Sequence, residues 1–368
     1  MSDRRLRYGI VGVGLMGREH IRILSLIPNA EVIAFYDPDE TSRIQASQLV
    51  PSAKSYADFD NFCKRDDIDA LIISSPNHTH AQILPRLIQN GQHILIEKPL
   101  TTSIEDAKMV SDLLHDYQGI VWMGMEYRYA PPVSYAINEA HIGTIGQIHM
   151  ISIREHRHPF LPKIGDWNRF NRNTGGTLVE KCCHFFDLMR FILNSDPVSV
   201  FGSGSIGLNH KNERYDDETP DILDNAFVIV DFDSGARAML DLCMFAEQST
   251  EQTEIQIIGE AGKIECRQPS NTVTIGLREE SWPNWKLGDF RNPSRLNKIN
   301  VPIQPNIASG HGGATYYEHL AFIEAILNNQ PPQVTADDGM WSIVMGLAAE
   351  RSVQEKRVVE IEEILQRK

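Results

Sequence analysis

The glycine-rich segment 12–17 (GVGLMG) constrains the fold of this chain more than any other feature of the sequence. It follows the apolar run 7–13 and opens an amphipathic stretch, which is the strand–turn–helix context of a dinucleotide-binding fingerprint. Gly12 permits the tight turn, Gly14 lets the backbone approach a pyrophosphate, and Gly17 lets the helix pack closely on the strand. The first amides of the helix donate to phosphate oxygens. We therefore predict cofactor contacts from Gly12, Gly14, Leu15, Met16 and Gly17.

A carboxylate follows the next apolar run. Asp37 comes directly after the run 31–36 and lies twenty residues beyond Gly17, where a dinucleotide-binding fold holds the adenosine ribose diol. The alternative is a turn former, because Asp37 precedes Pro38 and Asp-Pro pairs mark turns. A carboxylate also repels the 2′-phosphate of NADP, and no basic residue follows before Arg43. We therefore predict NAD as the cofactor.

Short apolar runs alternate with longer amphipathic stretches through the first 125 residues. This alternation is typical of βαβ units, so it predicts an α/β domain with a doubly wound parallel sheet, a Rossmann fold, over residues 1–125. The runs that carry the prediction are 7–13, 31–36, 70–74, 93–97 and 120–124.

The pattern changes after residue 131, where strands are grouped and helices are fewer. This grouping predicts that residues 126–368 form an α+β domain for substrate binding and oligomerisation, built on a large, open, mainly antiparallel sheet. We expect its C-terminal helices to pack back on the first domain. The predicted strands are 145–157, 197–208, 225–245, 253–266 and 271–277, and the predicted helices are 131–141, 183–193, 315–328 and 337–349.

The overall charge limits the possible partners. The 368 residues carry a formal charge of −14, which argues against nucleic acid or an anionic membrane surface. No apolar run reaches the ~18 residues of a membrane span. Five cysteines at no framework spacing indicate thiols in a reducing cytoplasm. We therefore expect a cytoplasmic protein with a small-molecule substrate, and a homo-oligomer (dimer or tetramer) because a second subunit commonly covers an open sheet.

Three further segments carry a resemblance to a known family. They are 74–80 (SSPNHTH), 97–99 (EKP) and 175–187 (GGTLVEKCCHFFD). With the fingerprint, they make the chain similar to the glucose–fructose oxidoreductase/inositol dehydrogenase/MocA (Gfo/Idh/MocA) family from about residue 6 to about residue 360. The resemblance implies a Rossmann domain, a C-terminal open sheet, and pyridine-nucleotide chemistry on sugars or cyclitols.

The resemblance also implies roles for individual residues. The catalytic Lys and His of the family match Lys98 and His184, and the Asp that the family has four residues before the His corresponds to Glu180. A Cys stands at position 182, where Gly is usual. The loop beneath the nicotinamide corresponds to segment 74–80, and Arg128 is expected at the cofactor or at the domain interface. The cofactor contacts expected on this basis are Ser75, Pro76, Asn77, His80, Glu97, Lys98 and Arg128.

Elementary chemistry supports the same roles. A hydroxyl that loses hydride must also lose a proton, and imidazole is matched to accept it near neutral pH. Lys98 follows a parallel strand, at the edge where such sheets bind ligands. Glu180, His184 and Asp187 have the i, i+4, i+7 spacing of one helical face. A metal is not expected, because Cys182 and Cys183 are adjacent and lack the spacer of usual zinc sites.

Segment 154–172 departs from the acidic average. It holds five Lys or Arg and two His against Glu155 and Asp166, a net charge of +3. One interpretation is a pocket for a sugar that carries a carboxylate, sulfonate or phosphate. The alternative is a surface loop that balances acidic neighbours. The substrate-binding candidates are Arg154, His156, Arg157, His158, Trp167, Arg169 and, from the helix, Asp187.

Three functions are compatible with these motifs. The first is an NAD-dependent dehydrogenase of a sugar or cyclitol. The second is an NAD-dependent glycosidase that oxidises an anionic glycoside transiently, eliminates the aglycone, adds water and returns the hydride. The third is a non-catalytic NAD-binding regulator, which the presence of both Lys98 and His184 disfavours.

Overall fold

The protein is described by a computed structural model that covers residues 5–278, 296–308 and 311–366. Its first sheet has six parallel strands in the order β3-β2-β1-β4-β5-β6, so the order reverses between β1 and β4. A ligand crevice forms at such a switch point in open α/β sheets. The strands are β1 (Leu6–Val11), β2 (Ala30–Tyr36), β3 (Lys54–Tyr56), β4 (Ala70–Ile73), β5 (His93–Glu97) and β6 (Val121–Gly124).

Helices connect these strands, and three of them begin at a side-chain cap. The carboxylates of Asp39 and Asp58 and the hydroxyl of Ser103 each accept a hydrogen bond from the backbone amide three residues further on, which satisfies donors that a helix start leaves unpaired. The helices are α1 (Leu15–Leu24), α2 (Glu40–Leu49), α3 (Phe59–Cys63), α4 (His80–Leu87) and α5 (Ile104–Leu114). The predicted parallel Rossmann sheet is confirmed.

The second sheet has nine strands in the order β14-β13-β12-β11-β7-β10-β9-β8-β15. Neighbours are antiparallel except β7 and β10, which run parallel, so the predicted mainly antiparallel sheet is confirmed. The strands are β7 (Ile148–His156), β8 (Pro197–Ser205), β9 (Asn225–Phe232), β10 (Arg237–Cys243), β11 (Thr253–Gly259), β12 (Gly262–Gln268), β13 (Thr272–Leu277), β14 (Leu296–Asn300) and β15 (Val359–Glu360).

Helices cover one face of this sheet and leave the other open. Phe201, Phe227, Ile229 and Met239 lie on the open face and are 39–61% exposed. The helices of this half are α6 (Pro131–His141), α7 (Asn171–Thr174), α8 (Thr177–Glu180), α9 (Cys183–Leu193), α10 (Ala314–Asn328), α11 (Ala336–Glu355) and α12 (Glu362–Leu365). No helix among the described residues has the length and apolarity to cross a membrane.

The last long helices also pack on the first sheet. Phe322 of α10 contacts the rings of Tyr8 in β1 and Trp122 in β6, and all three side chains are fully buried. The helix α11 begins at a capping box formed by Thr335 and Asp338. The helix α10, which comes late in the chain, therefore completes the hydrophobic core of the first sheet.

Candidate active site

A cavity of about 850 Å³ lies at the carboxyl edge of the first sheet, at the switch point between β1 and β4. Its walls come from the glycine turn that follows β1, the end of β2, the loop after β4 and the end of β5. Segment 162–167 of the second half closes it from above. One cavity thus contains the fingerprint, Asp37 and Lys98.

The glycine turn has the shape that a pyrophosphate requires. Gly12 has φ +87°, and a Cβ there would lie 2.6 Å from the amide nitrogen of Ser75. A Cβ on Gly17 would lie 2.1 Å from the carbonyl oxygen of Gly12. Gly14, by contrast, faces open space, and among the described residues no side chain caps the amides of the helix that begins after it. Backbone donors therefore face a cavity that a phosphate group fits. Leu15 and Met16 also line it.

Asp37 lies directly after β2, beside the glycine turn. Its carboxylate accepts hydrogen bonds from the amides of Val13 and Asp39, both at 2.8 Å. Burial raises the pKa of Asp37, an effect that those two amides oppose. The carboxylate is held at the cavity edge, where the ribose of a dinucleotide would lie.

The loop after β4 forms the floor of the cavity. Ser75, Pro76 and Asn77 line it. His80 is buried behind them, and its two ring nitrogens contact the carbonyl oxygens of Ser75 and Pro99, both at 3.0 Å. His80 therefore ties the loop after β4 to the end of β5. This places it as a support of the loop, apart from the cavity lining.

Lys98 is the cation of the site. Its Nζ donates to the carbonyl oxygen of Glu180 at 3.0 Å. Burial lowers the pKa of Lys98, but Cys183, Glu126 and Glu180 outweigh burial, so the pKa lies above its ordinary value. The side chain therefore keeps its charge at neutral pH. Glu97, the preceding residue, lines the cavity and contacts the ring of His20 at 2.9 Å.

His184 is buried and is not among the residues that line the cavity. It is 2% exposed, and its ring stacks on Tyr127 with 4.6 Å between centroids. Burial lowers the pKa of His184 far below its ordinary value, and the nearby cations Lys98 and Lys181 lower it further. The imidazole is uncharged at neutral pH and can accept a proton.

Glu180 and His184 lie on two short helices, so the prediction of one helical face was wrong. The helix α8 ends at Glu180 and α9 begins at Cys183. Oε1 of Glu180 lies 3.5 Å from Nζ of Lys163, whereas Oε2 is buried without a hydrogen-bond partner among the described residues. Because of this break, the side chain of Glu180 faces Lys163, whereas the ring of His184 stacks on Tyr127.

Arg128 and Asp187 bind each other rather than ligands. Nε of Arg128 donates to Asp187 at 2.7 Å, and the guanidinium also lies 3.4 Å from Asp338 and over the ring of Phe191. Both side chains are buried outside the cavity lining. This corrects the assignment of Arg128 to the cofactor and of Asp187 to the substrate. The side-chain partners of Arg128 all belong to residues 126–368, so Arg128 links elements of the second half.

Arg154 and His156 are also misassigned as substrate ligands. Side chains alternate across β7, and Glu155 points inward to Lys181 at 3.1 Å, so its two neighbours point to the open face of the sheet. There Arg154 pairs with Glu254 and His156 with Asp241.

Arg169 is buried in an ion pair with Glu213 at 2.9 Å, which anchors a neighbouring loop. This removes it from the substrate candidates as well. Arg157 and His158 stay near the site: their side chains contact each other at 3.1 Å, and Arg157 contributes to the lowered pKa of His184. Trp167 lines the cavity directly.

Sequence reasoning missed four residues around the base. Lys163 lines the cavity and holds its position by an interaction with the ring of Trp167. Its place in the basic segment 154–172 was the available signal. The other three are Lys181, Glu126 and His311. Lys181 lies within segment 175–187, next to Glu180, whereas Glu126 and His311 come from separate parts of the chain and share no spacing that could have indicated them.

Comparison with known proteins agrees with this geometry. Residues 6–125 match the family described as "Oxidoreductase family, NAD-binding Rossmann fold", and residues 140–361 match "Oxidoreductase family, C-terminal alpha/beta domain". The chain belongs to the Gfo/Idh/MocA oxidoreductase family. It is therefore an NAD-binding oxidoreductase, and the predicted cofactor is confirmed.

Several members of the Gfo/Idh/MocA family align along nearly the whole chain. The myo-inositol 2-dehydrogenase of Thermotoga maritima is 25% identical over 366 residues, which cover 98% of this chain and 100% of that protein. The 2,7-anhydro-N-acetylneuraminate hydratase of Escherichia coli K12 is 24% identical over 377 residues, with 98% of each chain covered. A levoglucosan dehydrogenase solved with NADH and levoglucosan shares the fold, with a TM-score of 0.83, 19% identity, and 97% and 100% coverage.

Proposed function

We propose that this protein is an NAD-dependent dehydrogenase that oxidises a hydroxyl group of a sugar or cyclitol. The observation that carries the proposal is Lys98 in the lining of a cavity that also contains the glycine turn and Asp37, with the buried His184 close enough to Lys98 for this cation to lower its pKa. A site that only sensed the nucleotide would need neither group. The whole-length relative named myo-inositol 2-dehydrogenase supports a polyol substrate.

Each residue has a defined task in this reaction. Bound NAD supplies the hydride acceptor. His184 takes the hydroxyl proton, because its neutral imidazole is available as a base. Lys98 donates a hydrogen bond to the substrate oxygen and stabilises its developing negative charge. The carbonyl oxygen of Glu180 fixes Nζ of Lys98 in position, and the Glu180 side chain, buried beside Lys163, is placed to orient a substrate hydroxyl.

The ion pairs of the basic segment 154–172 favour an uncharged sugar or cyclitol as the substrate. All five Lys and Arg of segment 154–172 have an acidic partner within 4 Å, which agrees with the loop that balances acidic neighbours. Recognition would then rest on hydrogen bonds to hydroxyls and on the ring of Trp167. We propose Trp167, Arg157 and His158 as the contacts that remain from the predicted substrate set.

A second candidate is a reaction without net redox change, in which the hydride returns to the product after elimination and addition of water. The relative named 2,7-anhydro-N-acetylneuraminate hydratase, aligned over 98% of this chain, favours it. The buried Nε of Arg157, which lacks a hydrogen-bond partner among the described residues, could then meet an anionic group of the sugar.

The experiment is an absorbance assay for NADH with purified protein, NAD, and a panel of neutral and anionic sugars, cyclitols and glycosides. Sustained NADH formation with one compound supports the dehydrogenase. Product formation without accumulation of NADH supports the second candidate. If the protein binds NADH but forms neither NADH nor a product with any compound of the panel, both candidate functions are contradicted.

We further propose that the open face of the second sheet binds a second copy of the chain, which gives a homo-oligomer. The apolar side chains exposed on that face support this proposal. Cys182, Cys183, Cys243 and Cys266 are thiols, which supports a cytoplasmic location.

A further inference from the structure

A buried carboxyl group, Glu126, lies between two histidines. Its Oε1 is 3.3 Å from Nε2 of His184 and 3.6 Å from Nε2 of His311. Both oxygens of Glu126 are buried, and neither has a hydrogen-bond partner among the described residues. Buried polar atoms normally have hydrogen-bond partners. A carboxyl group that lies near two imidazole rings without a fixed hydrogen bond to either is suited to exchange a proton with both.

The contacts continue from Glu126 toward the surface. Nδ1 of His311 lies 3.1 Å from Oε1 of Glu19, which also accepts a hydrogen bond from Thr315 at 2.9 Å. The side chain of His311 is 30% exposed and that of Glu19 is 16% exposed, whereas the His184 side chain is 2% exposed. A line of titratable groups therefore connects the buried base to solvent.

We propose that Glu126, His311 and Glu19, here named the proton relay, carry the proton that His184 takes from the substrate out to solvent. The inference rests on the proposed dehydrogenase function. Without such a route, a base sealed from water would keep its proton until the substrate cavity opened.

The proton steps balance without any further reactant. The substrate hydroxyl proton binds Nε2 of His184, because Nδ1 is fully buried. That proton then passes to Oε1 of Glu126, 3.3 Å away, and from there to Nε2 of His311. His311 releases its Nδ1 proton to Glu19 or to water. The electron pair leaves the substrate with the hydride, and no electrons enter the relay.

The charges around the relay favour a proton on its outer histidine. Burial lowers the pKa of His184 and raises that of Glu126. Burial also lowers the pKa of His311, but Glu126 and Glu19 outweigh it, so the pKa lies above its ordinary value. Of the two histidines, His311 therefore holds a proton more readily than His184. The other charged or titratable groups that face Glu126 are Glu97 and Lys98 at the end of β5 and Glu318 of α10.

A second buried histidine cluster shows what a closed arrangement looks like. His20 contacts Glu97 and His319, both at 2.9 Å. His20 and His319 are fully buried, and Glu97, which is 5% exposed, reaches only the cavity. Its geometry fits a structural role, in contrast to the relay that ends at His311.

The first test needs no substrate. Histidine-selective NMR titrations compare the NAD-bound wild type with Glu126→Gln and with Glu318→Gln. The second variant is a matched control, because burial raises the pKa of Glu318 far above its ordinary value and a neutral amide imitates the acid form. We expect Glu126→Gln to change the titration of both His184 and His311 and Glu318→Gln to change neither. Unchanged titrations in Glu126→Gln would overturn the relay.

The second test follows one turnover with the compound that the wild type oxidises. Stopped-flow absorbance records NADH, and a pH-indicator dye records proton release. In Glu126→Gln and His311→Ala we expect NADH to form in the first turnover, proton release to lag behind it, and kcat to fall about tenfold with a larger solvent deuterium isotope effect. Added imidazole buffer should restore His311→Ala.

The outcomes separate the relay from the proposed function. A higher KM for Glu126→Gln with an unchanged isotope effect and prompt proton release would make Glu126 a substrate contact and overturn the relay. If the wild type forms no NADH with any compound, the proposed function fails, and the histidine titrations alone decide the relay.

Discussion

Two basic side chains of the active site are held in opposite protonation states by their surroundings. Lys98 keeps its proton because acidic neighbours outweigh the effect of burial. His184 is neutral because burial and the charges of Lys98 and Lys181 disfavour a positive charge on its ring. Oxidation of an alcohol needs this combination, a cation for the oxygen and a free base for its proton.

Removal of either group tests these roles. We expect Lys98→Met and His184→Ala each to lower kcat by roughly 10²–10⁴, with binding of NADH affected far less than kcat, because neither side chain forms the glycine turn. Steady-state assays and NADH fluorescence titrations measure the two effects. Lys64→Met, at an exposed lysine of the same half, is the control. Full activity in both site variants would contradict the mechanism.

Asp37 is predicted to set the choice between NAD and NADP. In Asp37→Ser the negative charge next to the ribose is lost, and the amides of Val13 and Asp39 lose a charged acceptor. We expect NADH to bind about tenfold or more weakly and the ratio of NADPH to NADH affinity to rise. Fluorescence titrations with both nucleotides test this, with the exposed Glu40→Gln as control. An unchanged ratio would show that Asp37 only forms the turn.

At this scale, compact motifs supplied the predicted residues that line the cavity next to the strands. Lys98 and Asn77 follow strands at the edge where the cavity forms. Glu126 and His311 were not predictable, because their contact depends on a return of the chain from the second half and their neighbours show no distinctive spacing. Arg154 was misplaced because composition does not tell which face of a strand a side chain occupies.

Among the elements, the break between α8 and α9 shapes the active site, and α11 supports it. Oε1 of Glu350 in α11 accepts a hydrogen bond from the amide of Leu178 at 2.9 Å. Gly176 has φ +99°, and a Cβ there would lie 2.3 Å from the same carboxylate. The predicted helix 183–193 agrees with α9, whereas the short helix α8 was not predicted. The contact with α11 holds the start of α8 in place.

Glu350 should therefore make the stability of the fold depend on pH. Burial raises its pKa from 4.5 to about 7, so folding takes up a proton between these values. This contribution is complete below the unfolded pKa and is lost as the pH rises through about 7, a difference of roughly 3 kcal/mol. Glu350→Gln keeps the hydrogen bond and removes the titration. We expect its free energy of unfolding to exceed that of the wild type near pH 8 and to match it below the unfolded pKa.

Urea unfolding of wild type and Glu350→Gln at several pH values measures this difference. Glu324→Gln, at an exposed carboxylate of α10, controls for the loss of one negative charge. Parallel pH curves for the wild type and Glu350→Gln would show that Glu350 does not titrate with folding.

On the scale of the whole molecule, the open face of the second sheet exposes large apolar side chains. Phe201, Ile229 and Met239 lie in register across three neighbouring strands, which forms a continuous apolar row. Such a row is typical of an interface. We expect Ile229→Asp to convert an oligomer into monomers without loss of NADH binding, because the substitution lies far from the glycine turn.

Light scattering coupled to size-exclusion chromatography measures this change. Ile142→Asp, at an exposed position after α6, is the matched control. A wild-type protein that is monomeric at all concentrations would contradict the proposed assembly.

The architecture was predictable in outline because the alternation of strands and helices and the later grouping of strands are properties of consecutive residues. The order of the second sheet was not, because it places β7 beside β10 and β11, which are distant along the chain. The short polar strand β3 was also missed, since its three residues show no apolar run.

The packing of Phe322 on Tyr8 and Trp122 has a consequence for biosynthesis. A ribosome makes the first sheet early, but the helix that covers these two rings emerges only when most of the chain has been translated. The nascent nucleotide-binding half must therefore wait with apolar surface exposed, which is when chaperones bind growing chains. Fragments that stop before α10 should aggregate. The first sheet with its complete core therefore needs nearly the entire polypeptide and cannot be transferred alone to another protein.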